Sequence, residues 1–199
     1  MILGIARHGE TDSNSMKLWV SDSDYPLNDK GKIQAKLLAT SLKNYGFKQI
    51  VTSDKRRAIE TAEIVSHELG IPIYGSFKIF RDRNYGPAEG LTSDEIYNKF
   101  GIRMRNSLTP ELDLLPGAEK VEELRDRVIK GLNFLMNKFE ESSVLLITHG
   151  AFARMAYRII NGDDQGIYFY NCSNFISECN NSKCKIIRGL EHINFDDSS

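Results

Sequence analysis

The sequence predicts an α/β fold, a three-layer α/β/α sandwich around a mostly parallel central sheet. Three observations point there. Short apolar runs rich in β-branched residues alternate with segments whose apolar residues recur at helical spacing. The run Val144-Leu145-Leu146-Ile147 is apolar without a break, as a strand covered on both faces should be. The composition is that of an ordinary globular chain, 41% hydrophobic and 27% charged over 199 residues, which excludes a wholly disordered polymer.

The elements follow in order. Residues 2–6 read as a buried strand. Residues 29–45 read as a helix, with Ile33, Leu37, Leu38 and Leu42 on one stripe and Gly46 to end it. A second strand is expected at 49–52. Asp54 is placed to cap a helix that runs to about Leu69, where Gly70 stops it. Residues 71–74 suit an edge strand because of Pro72. Residues 81–90 are polar and aperiodic, hence a loop. Thr92 with Glu95 makes a capping box for a short helix to Phe100. A two-proline loop, 108–117, leads to the longest helix, 119–139. Then come the strand at 143–148, a helix at 151–160, and two strands at 167–176 and 185–188 around a polar turn at 180–182. One domain is expected over residues 1–195, with a disordered tail at 196–199.

The charge balance, 26 Lys+Arg against 27 Asp+Glu, excludes a general nucleic-acid binder, which would carry a basic excess. No run approaches the ~18 apolar residues of a membrane span. The apolar start ends too early, at Arg7, for a signal peptide, so a cytoplasmic protein is expected. The three cysteines, Cys172, Cys179 and Cys184, lack the paired spacing of a zinc site and are expected to be reduced structural thiols.

Two strand ends finish in His-Gly: Arg7-His8-Gly9 and Thr148-His149-Gly150. Ligands of open α/β sheets bind beyond the carboxyl ends of the strands, and glycine admits close backbone approach. Two histidines can hold a metal or handle protons and phosphoryl groups. Arginine, not carboxylate, surrounds them: Arg7 directly, and Arg57 at a helix start. Guanidinium matches phosphate oxygens and disfavours a metal cation, so the local chemistry suggests phosphoryl transfer to histidine. His67 and His192 lack this setting and read as solvated.

At Arg7-His8-Gly9-Glu10-Thr11 the sequence resembles the histidine phosphatase superfamily, in its phosphoglycerate mutase-like branch. The resemblance continues through Asp24-Tyr25-Pro26-Leu27, Thr52-Ser53 with Arg57-Ala58 and Thr61-Ala62, Asp82-Arg83-Asn84-Tyr85-Gly86 with Glu89-Gly90, Pro116-Gly117-Ala118-Glu119 and Thr148-His149-Gly150. It spans residues 2 to about 160 in order. It implies a phosphoglycerate mutase-like fold and a set of roles. His8 would be the nucleophile. Arg7, Arg57 and His149 would hold the phosphoryl group, with Asn14 and the Gly150 backbone as lesser contacts. Asp82, where the branch usually carries glutamate, would protonate the leaving oxygen. Ser21, Asp22, Arg83, Tyr85 and the 103–117 loop would form the rim. No metal or organic cofactor is implied, and the expected partner is a small-molecule phosphate monoester. Nothing in the pattern sets an oligomeric state. The features of the family's mutases are thin: Ser93 stands where they carry lysine, and Met104 separates Arg103 from Arg105. A phosphatase is therefore expected, with a phosphoglycerate mutase as the alternative and a non-catalytic phospho-ligand binder as the reading from another class.

Overall fold

In the computed structural model, which describes residues 1–180 and 183–193, six strands form one sheet. They are β1 (Ile2–Arg7), β2 (Gln49–Ser53), β3 (Ile73–Phe77), β4 (Ser143–Thr148), β5 (Asn174–Asn180) and β6 (Lys183–Glu191). The spatial order is β3-β2-β4-β1-β5-β6. The first four run parallel, β5 lies antiparallel to β1, and β6 antiparallel to β5. The described residues also form six α-helices: α1 (Asp12–Ser15), α2 (Asp29–Leu42), α3 (Arg56–Leu69), α4 (Ser93–Phe100), α5 (Val121–Lys138) and α6 (Gly150–Asn161). The result is the expected α/β architecture with a mostly parallel sheet.

The side-chain alternation of β4 explains its unbroken apolar run. Val144 and Leu146 join the cluster containing Leu124, Val128, Leu132 and Leu135 of α5 and Phe152 of α6. Leu145 and Ile147 join the cluster on the other face, with Leu38 and Leu42 of α2 and Ala58, Ala62 and Val65 of α3. All four β4 residues are fully buried, each contributing roughly 1.5–3 kcal/mol of apolar burial. Beside them in β1, Gly4 makes room for Phe47, whose ring a Cβ there would meet at 2.6 Å. A third, smaller cluster of Tyr85, Ala88, Ile96, Ile102 and Leu112 supports the loops above the sheet's carboxyl edge.

Three local expectations need correction. Asp54 does not cap α3, whose N-cap is Lys55 without a side-chain bond. Asp54 instead accepts from Arg81 at 2.6 and 2.7 Å, because a bidentate guanidinium outcompetes a cap. The strand expected at 167–176 begins only at Asn174; the stretch before it is irregular, and the Phe169 carbonyl accepts from Arg7. Cys179 and Cys184 are not reduced thiols but a disulfide. They stand directly opposite on β5 and β6, which brings their Cβ atoms together. Cys172 alone is free; burial pushes its thiol pKa up, which keeps it inert. His192 is exposed, as expected, with Nδ1 2.8 Å from Ser173 Oγ. The expected tail at 196–199 and most of the turn at 180–182 lie outside the described residues. No helix among the described residues is long and apolar enough to cross a membrane.

Candidate active site

The sheet order β2-β4-β1 puts three strand ends side by side: Ser53, Thr148-His149 and Arg7-His8. Arg7 pairs with Thr148, and the His8 amide donates to the Thr148 carbonyl at 2.9 Å. Two histidines far apart in sequence thereby meet with ring centroids 5.1 Å apart, edge to face. His8 Nδ1 lies 2.7 Å from the Gly9 carbonyl. A carbonyl only accepts, so in the neutral ring the proton sits on Nδ1 and the lone pair on Nε2. Burial first, then Arg57 and Arg7, lower the His8 pKa well below the usual value, which keeps the ring neutral. Gly9 is required by space: a Cβ there would lie 2.5 Å from the Gly31 carbonyl oxygen. Its amide donates to Thr61 Oγ1 at 3.0 Å, tying the loop to α3.

His149 is fully buried, with Nε2 2.8 Å from Ser53 Oγ and Nδ1 without a partner. Arg7 Nε is also buried without a partner, while its Nη1 donates to Phe169 at 2.7 Å. Buried polar atoms are rarely left unpaired. The Arg7 group lines the cleft and is charged, so this arrangement is suited to an anion. Burial lowers the pKa of both Arg7 and Arg57, but a guanidinium keeps its charge.

Arg57, 2% exposed, is steered by the loop above it. It donates to the carbonyls of Ser23 at 2.9 Å and Ser21 at 3.1 Å. That loop is gathered onto one carboxylate. Glu89 accepts from the Ser21 amide and hydroxyl at 2.8 and 2.7 Å, and from the Asp22 and Ser23 amides at 3.1 and 3.0 Å. Burial would raise the Glu89 pKa, but these bonds hold it low. Glu89→Gln turns an N–H₂ group towards these donors and loosens Arg57. We expect kcat/KM for phosphate monoesters to fall about tenfold, mainly through KM, by roughly the strength of one charged hydrogen bond. Steady-state kinetics beside a melting curve checks this.

Asp82 stands at the far wall. Its Oδ1 accepts from the Ala151 amide at 2.9 Å and from the Arg83 amide at 3.0 Å. Burial raises its pKa despite Arg57, Arg7 and these two bonds, which favours a carboxyl that holds a proton. Gly150 opens α6, whose first-turn amides add positive potential beside the cleft.

Arg7, His8, Asn14, Arg57, Asp82, Tyr85 and Gly150 line one cleft of about 560 Å³, with His149 buried behind it. Asn14 Oδ1 accepts from the Thr11 amide and hydroxyl and from Asn171, which leaves its Nδ2 donors to the cleft. Tyr85 is buried, packs edge-on against Trp19, and has its pKa raised well above the usual value by burial. Two rim expectations are corrected. Ser21 lies under Arg57, bound to Glu89, not at the rim. Arg83 is fully buried and reaches no cleft: it donates to Glu119, Ser107 and Thr109 carbonyls and to Asp113. Four acceptors inside the protein outcompete water or ligand for it. Asp22 is exposed and pairs with Lys55 at 3.3 Å. Of the expected 103–117 loop, Asn106 and Ser107 reach the cleft.

Sequence reasoning missed Lys17, Trp19, Arg154, Tyr168, Tyr170 and Asn171 in the cleft wall. Residues 168–171 were hidden by the strand assigned to them. Arg154 carried a legible signal: it falls four residues after Gly150 on α6, on the same helix face.

Among known proteins, the chain matches the family model of the histidine phosphatase superfamily (branch 1) over residues 3–188. It is 34% identical over 160 residues to the uncharacterized phosphatase PhoE of Bacillus subtilis, covering 80% of this chain and 77% of that one. It is 33% identical over 147 residues to a probable phosphoglycerate mutase, GpmB, of Escherichia coli, covering 73% and 68%. Among solved structures, Bacillus stearothermophilus YhfR superimposes with a TM-score of 0.84 at 26% identity, over 94% of this chain and 95% of that one.

Proposed function

The chain belongs to the histidine phosphatase superfamily, and from that membership we propose that it hydrolyses small-molecule phosphate monoesters through a phosphohistidine on His8. The observation that carries the reading is the His8 ring, tied through Nδ1 to Gly9, with its open Nε2 on a cleft that holds arginine donors. In the first step Nε2 attacks phosphorus and the P–O bond to the alcohol breaks. Asp82 gives its proton to the leaving oxygen. Arg7, Arg57 and the His149 ring stabilise the charge spread over the transferring oxygens, with Asn14 and the Gly150 amide as lesser contacts. In the second step water attacks the phosphohistidine, Asp82 takes the water proton, and phosphate leaves with His8 restored.

The cleft walls hold Arg7, Lys17, Arg57 and Arg154 against a single carboxylate, Asp82. That balance favours a substrate anion and disfavours a divalent cation, so the reaction is proposed to be metal-independent. The alternative is a mutase that returns the phosphoryl group to a second hydroxyl, as the name of the GpmB relative suggests for that protein. Arg83, retained from the mutase-like pattern, is buried away from the cleft and lends that alternative no support.

The test is phosphate release from a panel of monoesters including 3-phosphoglycerate, in the presence of a strong chelator. Release in chelator is the expected result. Loss of activity in chelator contradicts the metal-independent mechanism. Interconversion of 3- and 2-phosphoglycerate without release establishes the mutase.

A further inference from the structure

The cleft holds more positive charge than one phosphoryl group needs. Arg7 and Arg57 suffice for a monoester dianion; Lys17 and Arg154 remain. Arg154 is the better placed of the two, because it is fixed. Its side chain is 11% exposed, and its Nε donates to Asp164 Oδ2 while Nη2 approaches the Asp164 carbonyl at 3.4 Å. Nη1 lies outside these contacts. Asp164 does not neutralise it alone, for the same carboxylate accepts from Arg158 at 2.7 Å. Two guanidiniums on one carboxylate leave a net positive charge at the cleft wall.

Position adds to charge. Gly150 touches the phosphoryl end of the cleft: a Cβ there would sit 3.6 Å from Arg7 Nε. Arg154 follows on the same face of α6, about 6 Å along the axis. The wall also carries Trp19, Tyr168 and Tyr170. The tyrosines are 57% and 56% exposed, their rings 5.1 Å apart. Such faces suit a flat scaffold.

We propose that the substrate's leaving group is a flat scaffold bearing a second anionic oxygen group, a carboxylate or a phosphate, which Arg154 receives one helical turn from the phosphoryl site. This rests on the phosphatase reading above. Arg154 is then a specificity-determining residue, and Asp164 a positioning residue for it.

The experiment compares 4-carboxyphenyl phosphate and 1,4-phenylene bisphosphate with phenyl phosphate. In the unmodified protein kcat/KM should favour the doubly anionic esters by about tenfold or more, carried by KM, as a charged hydrogen bond does. Which of the two is preferred identifies the anion. Arg154→Gln should reduce that preference at least about tenfold, whereas Arg125→Gln, on α5 and outside the cleft, should keep it. The preference is a ratio, so partial loss of folded protein cancels. If Arg154→Gln does not fold, Arg154→Met, which keeps the apolar stem, is measured in its place with the same expectation. Equal rates on all three esters, or a preference that survives Arg154→Gln, overturns the inference while leaving the phosphatase intact. No hydrolysis of any ester, with His8 unmodified, rejects the phosphatase reading itself and the inference with it.

Discussion

His8→Ala is expected to lower phosphate release by at least about 10⁴-fold, with little change in the binding of inorganic phosphate. The expectation follows from how few groups could replace the ring. His149 lies beside it, but its Nε2 is held by Ser53 and its ring is fully buried. Asp82 belongs to the acid side, bound to the start of α6. The anion site survives the change, because Arg7 is held by Phe169 and Arg57 by Ser21 and Ser23, none of which involves the His8 ring. A calorimetric phosphate titration therefore separates loss of the nucleophile from loss of fold. Joint loss of binding and turnover would mean that His8 organises the site instead of reacting.

Asp82→Asn should divide substrates by leaving group. Asparagine keeps an acceptor for the Ala151 and Arg83 amides but has no proton to give. Alkyl phosphates, whose leaving oxygens are strongly basic, should slow by about 10²–10³-fold, and 4-nitrophenyl phosphate by less than about tenfold. Equal slowing of both would remove Asp82 from the acid role. The pH profile gives the same test with a definite sign. Asp82 has its pKa raised by burial, so activity should fall as pH rises through that value and the acid loses its proton. His8 has its pKa lowered, so activity should fall on the acid side only below the ordinary histidine range. Asparagine at position 82 should abolish the alkaline limb and leave the acid limb. The substrate's own phosphate ionisation is common to both proteins and cancels in their ratio.

The parts of the fold that were legible in the sequence are those with a periodic or capped signature. The unbroken run of β4 announces burial on both faces, and the Thr92 and Glu95 pair does form a capping box. The helix over α2 and its glycine stop are equally plain, although its last turn tightens into a 3₁₀ turn at Lys43–Tyr45. The segment 167–173 misleads because its aromatic and β-branched residues suit a strand. In the structure its backbone instead turns to meet Arg7 and to place two tyrosines over the cleft. The cysteine pair was hidden because disulfide formation depends on register across β5 and β6, which spacing alone does not give.

The site shows the same division. Residues at strand ends were found because the chain order of the strands predicts that they converge. Arg83 misled because burial depends on where acceptors lie, and its acceptors come from residues 107–119, remote in sequence. Glu89 is more consequential than its place in a loop suggests: four donors from Ser21, Asp22 and Ser23 converge on it and set the position of Arg57.

The central claim is that the phosphoryl group passes through His8. The most direct measurement is rapid quench, into base, of the protein with a phosphate monoester labelled in the phosphoryl group, followed by mapping of the labelled peptide. Phosphohistidine is stable in base, and the account predicts label on the peptide containing His8, absent from His8→Ala. Label on another residue, or turnover without any labelled protein during the first cycle, would contradict it.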